Sequence, residues 1–211
     1  KIVITSFAYH YTDRLHEDYP NAASRLSKGH AYDLKSNAFD RLSDVYQDEK
    51  PDDGCDYIRI FGRQNNERTY KYIRRDYVNN VANLDKYKVF MPKANGTGAF
   101  GEVLTLPEIS EPGVGATESF VSIGLFDTAG ECDNLLKYIK TKFMRAMLGV
   151  VKITQDLTPS KWKYVPLQDF TAHSDIDWSK SVAEIDQQLY RKYDLTADEI
   201  KFIETHVKEM A

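Results

Sequence analysis

Cysteine is scarce in this chain: Cys55 and Cys132 are the only two among 211 residues, and neither belongs to a CxxC pair. That spacing argues against a disulfide framework and a zinc centre, and two partly buried thiols are expected instead. His10, His16, His30, His173 and His206 show no HxH or HExxH spacing, so no metal site is expected. No apolar run is long enough to cross a bilayer, and no basic-then-apolar leader opens the chain; a cytoplasmic protein without membrane contact is expected. The chain begins at Lys1 on an apolar strand without an initiator Met, as a piece of something longer would.

What is present is a core and a charge pattern. A chain that is 42% hydrophobic and 12% aromatic can bury one large domain or two small ones. The formal net charge of −4 is unevenly spread. Residues 57–93 carry nine bases against three acids, and residues 134–164 seven against one, a net of +6 each; twelve bases and 28 acids are left elsewhere. Two basic blocks thus lie inside an acidic frame. A phosphate backbone responds to a local basic surface rather than to global charge.

Periodicity predicts an α+β fold with a mixed, mostly antiparallel sheet, flanking helices and a C-terminal helical pair. Residues 1–9 alternate like a strand, and residues 10–50 are polar, with helix and loop expected. Asp52-Asp-Gly54 marks a turn. Tyr57-Ile-Arg-Ile-Phe61 and Tyr70-Lys-Tyr-Ile-Arg-Arg-Asp-Tyr77, joined through Gln64-Asn-Asn-Glu67, read as a basic hairpin. Further strands are expected at Tyr87–Met91, Glu102–Leu106 and Ser119–Phe126, with a long loop at Pro107, Pro112, Gly113 and Gly115. One helix is expected over 131–148, its apolar stripe running from Leu135 and Leu136 through Ile139 and Phe143 to Met147 and Leu148. Ser179 is the expected cap of the next helix, and Thr196-Ala-Asp-Glu199 reads as a capping box opening the last. Three segments follow: 1–50 as a junction to an upstream domain, 51–175 as the central domain, and 176–211 as the helical pair.

Several motifs invite a catalytic reading. Gly96-Thr-Gly-Ala-Phe-Gly101 fits the dinucleotide fingerprint GxGxxG, but Glu102–Pro107 reads as strand and proline where a phosphate-facing helix is needed. The glycines still leave backbone N–H groups able to approach a phosphate, with Lys93, Asn95 and Thr97 beside them. No kinase His-Arg-Asp or Asp-Phe-Gly follows. A metal-dependent nuclease needs an acid followed by Asp/Glu-x-Lys, and only Asp33-Leu-Lys35 and Glu199-Ile-Lys201 have the triplet form. The Asn/Asp-Pro-Pro-aromatic loop that holds a flipped adenine is missing, because no Pro-Pro occurs. No catalytic residue is assigned.

Tyr70-Lys-Tyr-Ile-Arg-Arg75, Tyr87-Lys-Val-Phe-Met-Pro-Lys93, Ser119-Phe-Val-Ser-Ile-Gly124, Lys137-Tyr-Ile-Lys-Thr-Lys-Phe143, Lys152-Ile-Thr-Gln155, Tyr164-Val-Pro-Leu-Gln-Asp-Phe170, Asp177-Trp178, Leu189-Tyr-Arg-Lys-Tyr193 and Glu199-Ile-Lys-Phe-Ile-Glu204 follow one another in a telling order. From about Ser36 to the end, that order resembles the C-terminal target-recognition region of adenine-specific DNA methyltransferases of restriction-modification systems, including enzymes that fuse methylase and nuclease. The resemblance implies a sequence-specific binder of double-stranded DNA without a cofactor of its own. S-adenosylmethionine would belong to an upstream methylase domain of the same polypeptide. Phosphate contacts position such a domain and base-edge contacts specify. Arg74, Arg75, Lys137, Lys140 and Lys142 are expected on the phosphates. Arg63, Gln64, Asn65, Asn66 and Arg68 suit base edges, since Arg pairs bidentately with guanine and Asn or Gln with adenine. Lys93, Asn95 and Thr97 suit either, and Arg59, Lys71 and Lys152 complete the expected DNA-binding set. The alternative is a metal-dependent restriction endonuclease with its active site in the N-terminal third.

Overall fold

Asn65 and Asn66 both have positive φ, 52° and 66°, as a two-residue type I′ turn requires and asparagine tolerates. They fold Tyr57–Gln64 (β2) antiparallel onto Glu67–Arg74 (β3), in register from Gln64↔Glu67 to Tyr57↔Arg74. The basic hairpin is therefore present. It gains a third strand where a loop is expected: Val114–Ala116 (β6) runs parallel to β2.

The computed structural model describes residues 6–210, so Ile2, Val3 and Ile4 lie outside the described residues. Of the first expected strand, Ser6–Phe7 (β1) is described. Tyr87–Pro92 (β4), Glu108–Ser110 (β5) and Phe120–Phe126 (β7) join it in an antiparallel sheet of order β1-β7-β4-β5. The strand expected at Glu102–Leu106 does not form. Its backbone is engaged locally: Asn95 Oδ1 accepts the Thr105 N–H at 2.7 Å, and the Glu102 side chain turns back onto the preceding loop.

Three short helices, Asp13–Asp18 (α1), Ala22–Arg25 (α2) and Ala38–Arg41 (α3), occupy the polar N-terminal segment. The helix expected over 131–148 is two, Ala129–Lys140 (α4) and Lys142–Gly149 (α5). The break is at Thr141, whose extended backbone ends α4 and whose Oγ1 accepts the Met144 N–H at 3.1 Å to open α5. Val182–Lys192 (α6) and Ala197–His206 (α7) form the C-terminal pair. Thr196 and Glu199 make the expected capping box, whereas α6 is capped by Ser181 with Glu184. Ser179 bonds Asp177 instead.

Two cores share the larger sheet. Along β4, Val89 and Met91 face a core built with α4–α7, while Phe90 faces one built from the hairpin, β6 and residues 9–46. The N-terminal segment thus packs with the hairpin, and the helical pair packs with α4 and α5, so each core crosses one of the positions 50 and 175 at which segments are expected to part. No described helix is long and apolar enough to cross a membrane.

Candidate nucleic-acid interface

The type I′ turn dictates which side chains meet at the hairpin tip. Counting outward from Asn65-Asn66, Gln64 opposes Glu67 and Arg63 opposes Arg68. Directly opposed residues project from the same face, so two like charges are held together, an arrangement that disfavours the hairpin. Arg63 is exposed and has no ion pair among the described residues; Arg68 has only Glu108 at 4.0 Å, and its guanidinium lies 5.8 Å from the Phe120 ring centre. Lys93, just beyond β4, is likewise exposed and unpaired among the described residues. Arg63 and Lys93 line one cleft of about 320 Å³, together with Ser36, Glu118, Ser119 and Asp156. Asn65 and Asn66 are exposed at the tip, and Gln64 is half-buried.

The other expected contacts are engaged elsewhere. Arg74 holds Asp76 at 2.6 Å and Asp18 at 3.4 Å, and its guanidinium lies over the Tyr77 ring. Arg75 pairs with Asp85 and Asp56, Lys71 with Asp48, and Arg59 with Glu111 at 3.0 Å. Arg74 and Arg75 line a separate cleft with Cys55 at the hairpin base. Six residues of strand, about 20 Å, separate Arg74 from Arg68. In the second basic stretch, the Lys137 ammonium donates to the Trp178 carbonyl, Lys142 pairs with Glu204, and half-buried Lys140 has no ion pair among the described residues. A continuous basic wall is not what these side chains build.

Two expected site residues require correction. Asn95 and Lys152 are buried, 2% and 3% exposed, and both serve the fold. Asn95 ties the chain to Thr105, and the Lys152 ammonium donates to Glu102 Oε1 at 2.5 Å. Thr97 is exposed, but its N–H and hydroxyl donate to Glu102 Oε2 at 2.6 and 3.0 Å, while the Gly98 N–H donates to Oε1 at 2.9 Å. Burial alone would raise the Glu102 pKa; Lys152 and the loop donors outweigh it and hold the carboxyl at about 2. The glycine fingerprint therefore binds an internal carboxylate. A Cβ at Gly98, at φ 97°, would stand 2.5 Å from the Ile153–Thr154 backbone, and one at Gly101, at φ 69°, would overlap the His206 carbonyl oxygen. These glycines mark places where three chain segments cross. Lys88 and Arg145, counted among the basic blocks, are also buried. Lys88 donates to the carbonyls of Leu84, Lys86 and Glu111, and burial lowers its pKa to about 8.

No family model, curated protein or solved structure matches this chain. The N-terminal triplet does acquire a second acid in space. Lys35 Nζ lies 3.6 Å from Asp33 and 2.9 Å from Glu118, and Asp33 also meets His10 at 3.3 Å and His30 at 2.7 Å. Among the described residues no group of three His, Cys, Asp or Glu side chains is placed to hold a metal ion. Ser36, Glu118, Ser119 and Asp156 carry no signal in the sequence, because they reach the cleft from separate segments. The Arg63–Arg68 pair has a usable one, since an Asn-Asn turn sets the register on either side.

Proposed function

We propose that this chain is a non-catalytic recognition domain for double-stranded DNA, with the hairpin tip as its reading element. The observation that supports this best is the pair of opposed arginines, Arg63 and Arg68, beside Lys93. None of these three cations makes an ion pair closer than 4.0 Å among the described residues, although Glu118 and Asp156 share the cleft, and cations so placed favour an external polyanion. Asn65 and Asn66 then sit where base edges can be read, and Gln64 flanks them. On the sequence resemblance, the parent would be a cytoplasmic adenine-specific methyltransferase or combined restriction-modification enzyme. S-adenosylmethionine would be held by its methylase domain, upstream of this chain.

Duplex affinity measured against salt concentration tests the reading. Arg63→Ala with Arg68→Ala should weaken binding and reduce the slope of log K against log salt by about 0.9 for each phosphate no longer neutralised. Unchanged affinity and slope would remove the proposal's support. The convergence of Asp33, Lys35 and Glu118 favours a second reading, metal-dependent DNA cleavage. Magnesium-dependent cutting by the chain, abolished by Asp33→Ala, would establish that reading.

A further inference from the structure

Phe202 on α7 is half exposed, and its ring lies 5.6 Å from that of Phe100 in the glycine loop and 4.2 Å from the His206 imidazole stacked on it. Val150 and Ile153 are exposed as well, Ile153 at 76%. A Cβ at Gly149 would stand 2.8 Å from the Phe100 ring, and one at Gly98 would stand 2.5 Å from the Ile153 carbonyl carbon. These apolar side chains therefore belong to segments that meet at the glycine loop. An apolar patch rimmed by polar residues marks an interaction site.

The charges of α7 indicate the partner. Asp198 and His206 stand one turn before and one turn after Phe202, at i−4 and i+4, along one stripe of the helix. Both are exposed, and Asp198 has neither an ion pair nor a hydrogen bond among the described residues. The His206 Nδ1 lies 2.8 Å from the Phe202 carbonyl oxygen and 2.9 Å from the Thr205 hydroxyl, which leaves Nε2 free. Acid, aromatic and imidazole in that order complement themselves when two copies of the helix run antiparallel. A two-fold axis at Phe202 sets Asp198 of each copy against His206 of the other. Lys201, about 100° around the helix from Phe202, stays at the rim.

We propose that α7 is a self-association surface, on which a second copy of this chain pairs antiparallel through Phe202, Phe100 and two Asp198–His206 contacts. The same patch is engaged on both copies, so the assembly closes at two. One ten-residue helix and its flanks make an interface at the small end of the specific range, below about 1,200 Å² in total, and the dimer is reversible. It stands independently of the DNA-binding reading.

Sedimentation equilibrium of the whole chain from about 1 μM to about 1 mM tests it and should show a monomer–dimer equilibrium. Two charge variants make the two-fold contact repulsive: Asp198→Lys with His206→Lys sets cation against cation, and His206→Asp sets acid against acid. Each alone should weaken the dimer at least about tenfold, and the two mixed in equal amounts should regain it as a heterodimer. Phe202→Ala should weaken it by about tenfold, with far-UV circular dichroism and the urea midpoint showing that the fold is kept. A chain that stays monomeric throughout, or one that grows beyond two copies, overturns the proposal. So does a dimer that survives the charge variants and Phe202→Ala, or a mixture of the charge variants that stays monomeric.

Discussion

Residues 57–93 and 134–164 each carry a net of +6, yet they use that charge differently. The first buries Lys88 yet keeps Arg63, Arg68 and Lys93 at the surface near one cleft, whereas the second buries Arg145 and Lys152 and directs Lys137 to a backbone carbonyl. The difference follows from where each stretch sits. The cations at the hairpin tip make no ion pair closer than 4.0 Å among the described residues, while the helices beside the C-terminal pair present their cations to carbonyls and carboxylates already in place. Charge counted along a sequence thus overstates a binding surface wherever basic side chains serve as internal donors.

The largest expected effect lies in the second stretch. Lys152→Met leaves Glu102 without its cation and should cost about 3 kcal/mol of stability in urea unfolding, with the salt slope of DNA binding unchanged. A reduced slope with intact stability would instead make Lys152 a DNA-binding residue. At the hairpin base, Arg74→Ala with Arg75→Ala removes surface ion pairs, should cost about 1 kcal/mol and should leave the slope of the Arg63 cleft in place. Equal reductions of slope from the base and tip variants would erase the distinction between them.

The Glu102 site also predicts a dependence on pH. Its folded pKa of about 2 lies below the ordinary 4.5, so its stabilisation is complete above 4.5 and is lost as pH falls toward 2. Unfolding followed across that window should show the loss, and Lys152→Met should flatten it. The smallest effect is expected at the tip. Asn66→Gly relieves a left-handed residue at φ 66° and should stabilise the hairpin by about 0.5 kcal/mol. Weaker DNA binding despite that gain would show that the asparagine side chain reads the duplex; unchanged binding would make it a turn residue only.

Much of the fold is legible from neighbouring residues. The alternation of Tyr57–Phe61 and the Asn65-Asn66 turn mark the hairpin, and Thr196 with Glu199 marks the start of α7. Thr141 is harder to read, because the apolar stripe continues across it although its backbone breaks the helix. Strand β6 is hidden by Pro112, Gly113 and Gly115, since its pairing with β2 depends on a distant partner. The candidate site is legible only in part. Arg63, Arg68 and Lys93 are expected and lie near one another, whereas Asn95 and Lys152 have the right chemistry and are claimed by the interior.

The sequence by itself determined the hairpin strands, the turn between them, the C-terminal helical pair and the Thr196–Glu199 capping box, because each depends on groups a few residues apart. Only the tertiary structure decided which cations remain at the surface. Lys152 finds Glu102 fifty residues away and Lys35 finds Glu118 across 83, and such pairings depend on how the chain is folded in space, which local spacing does not encode.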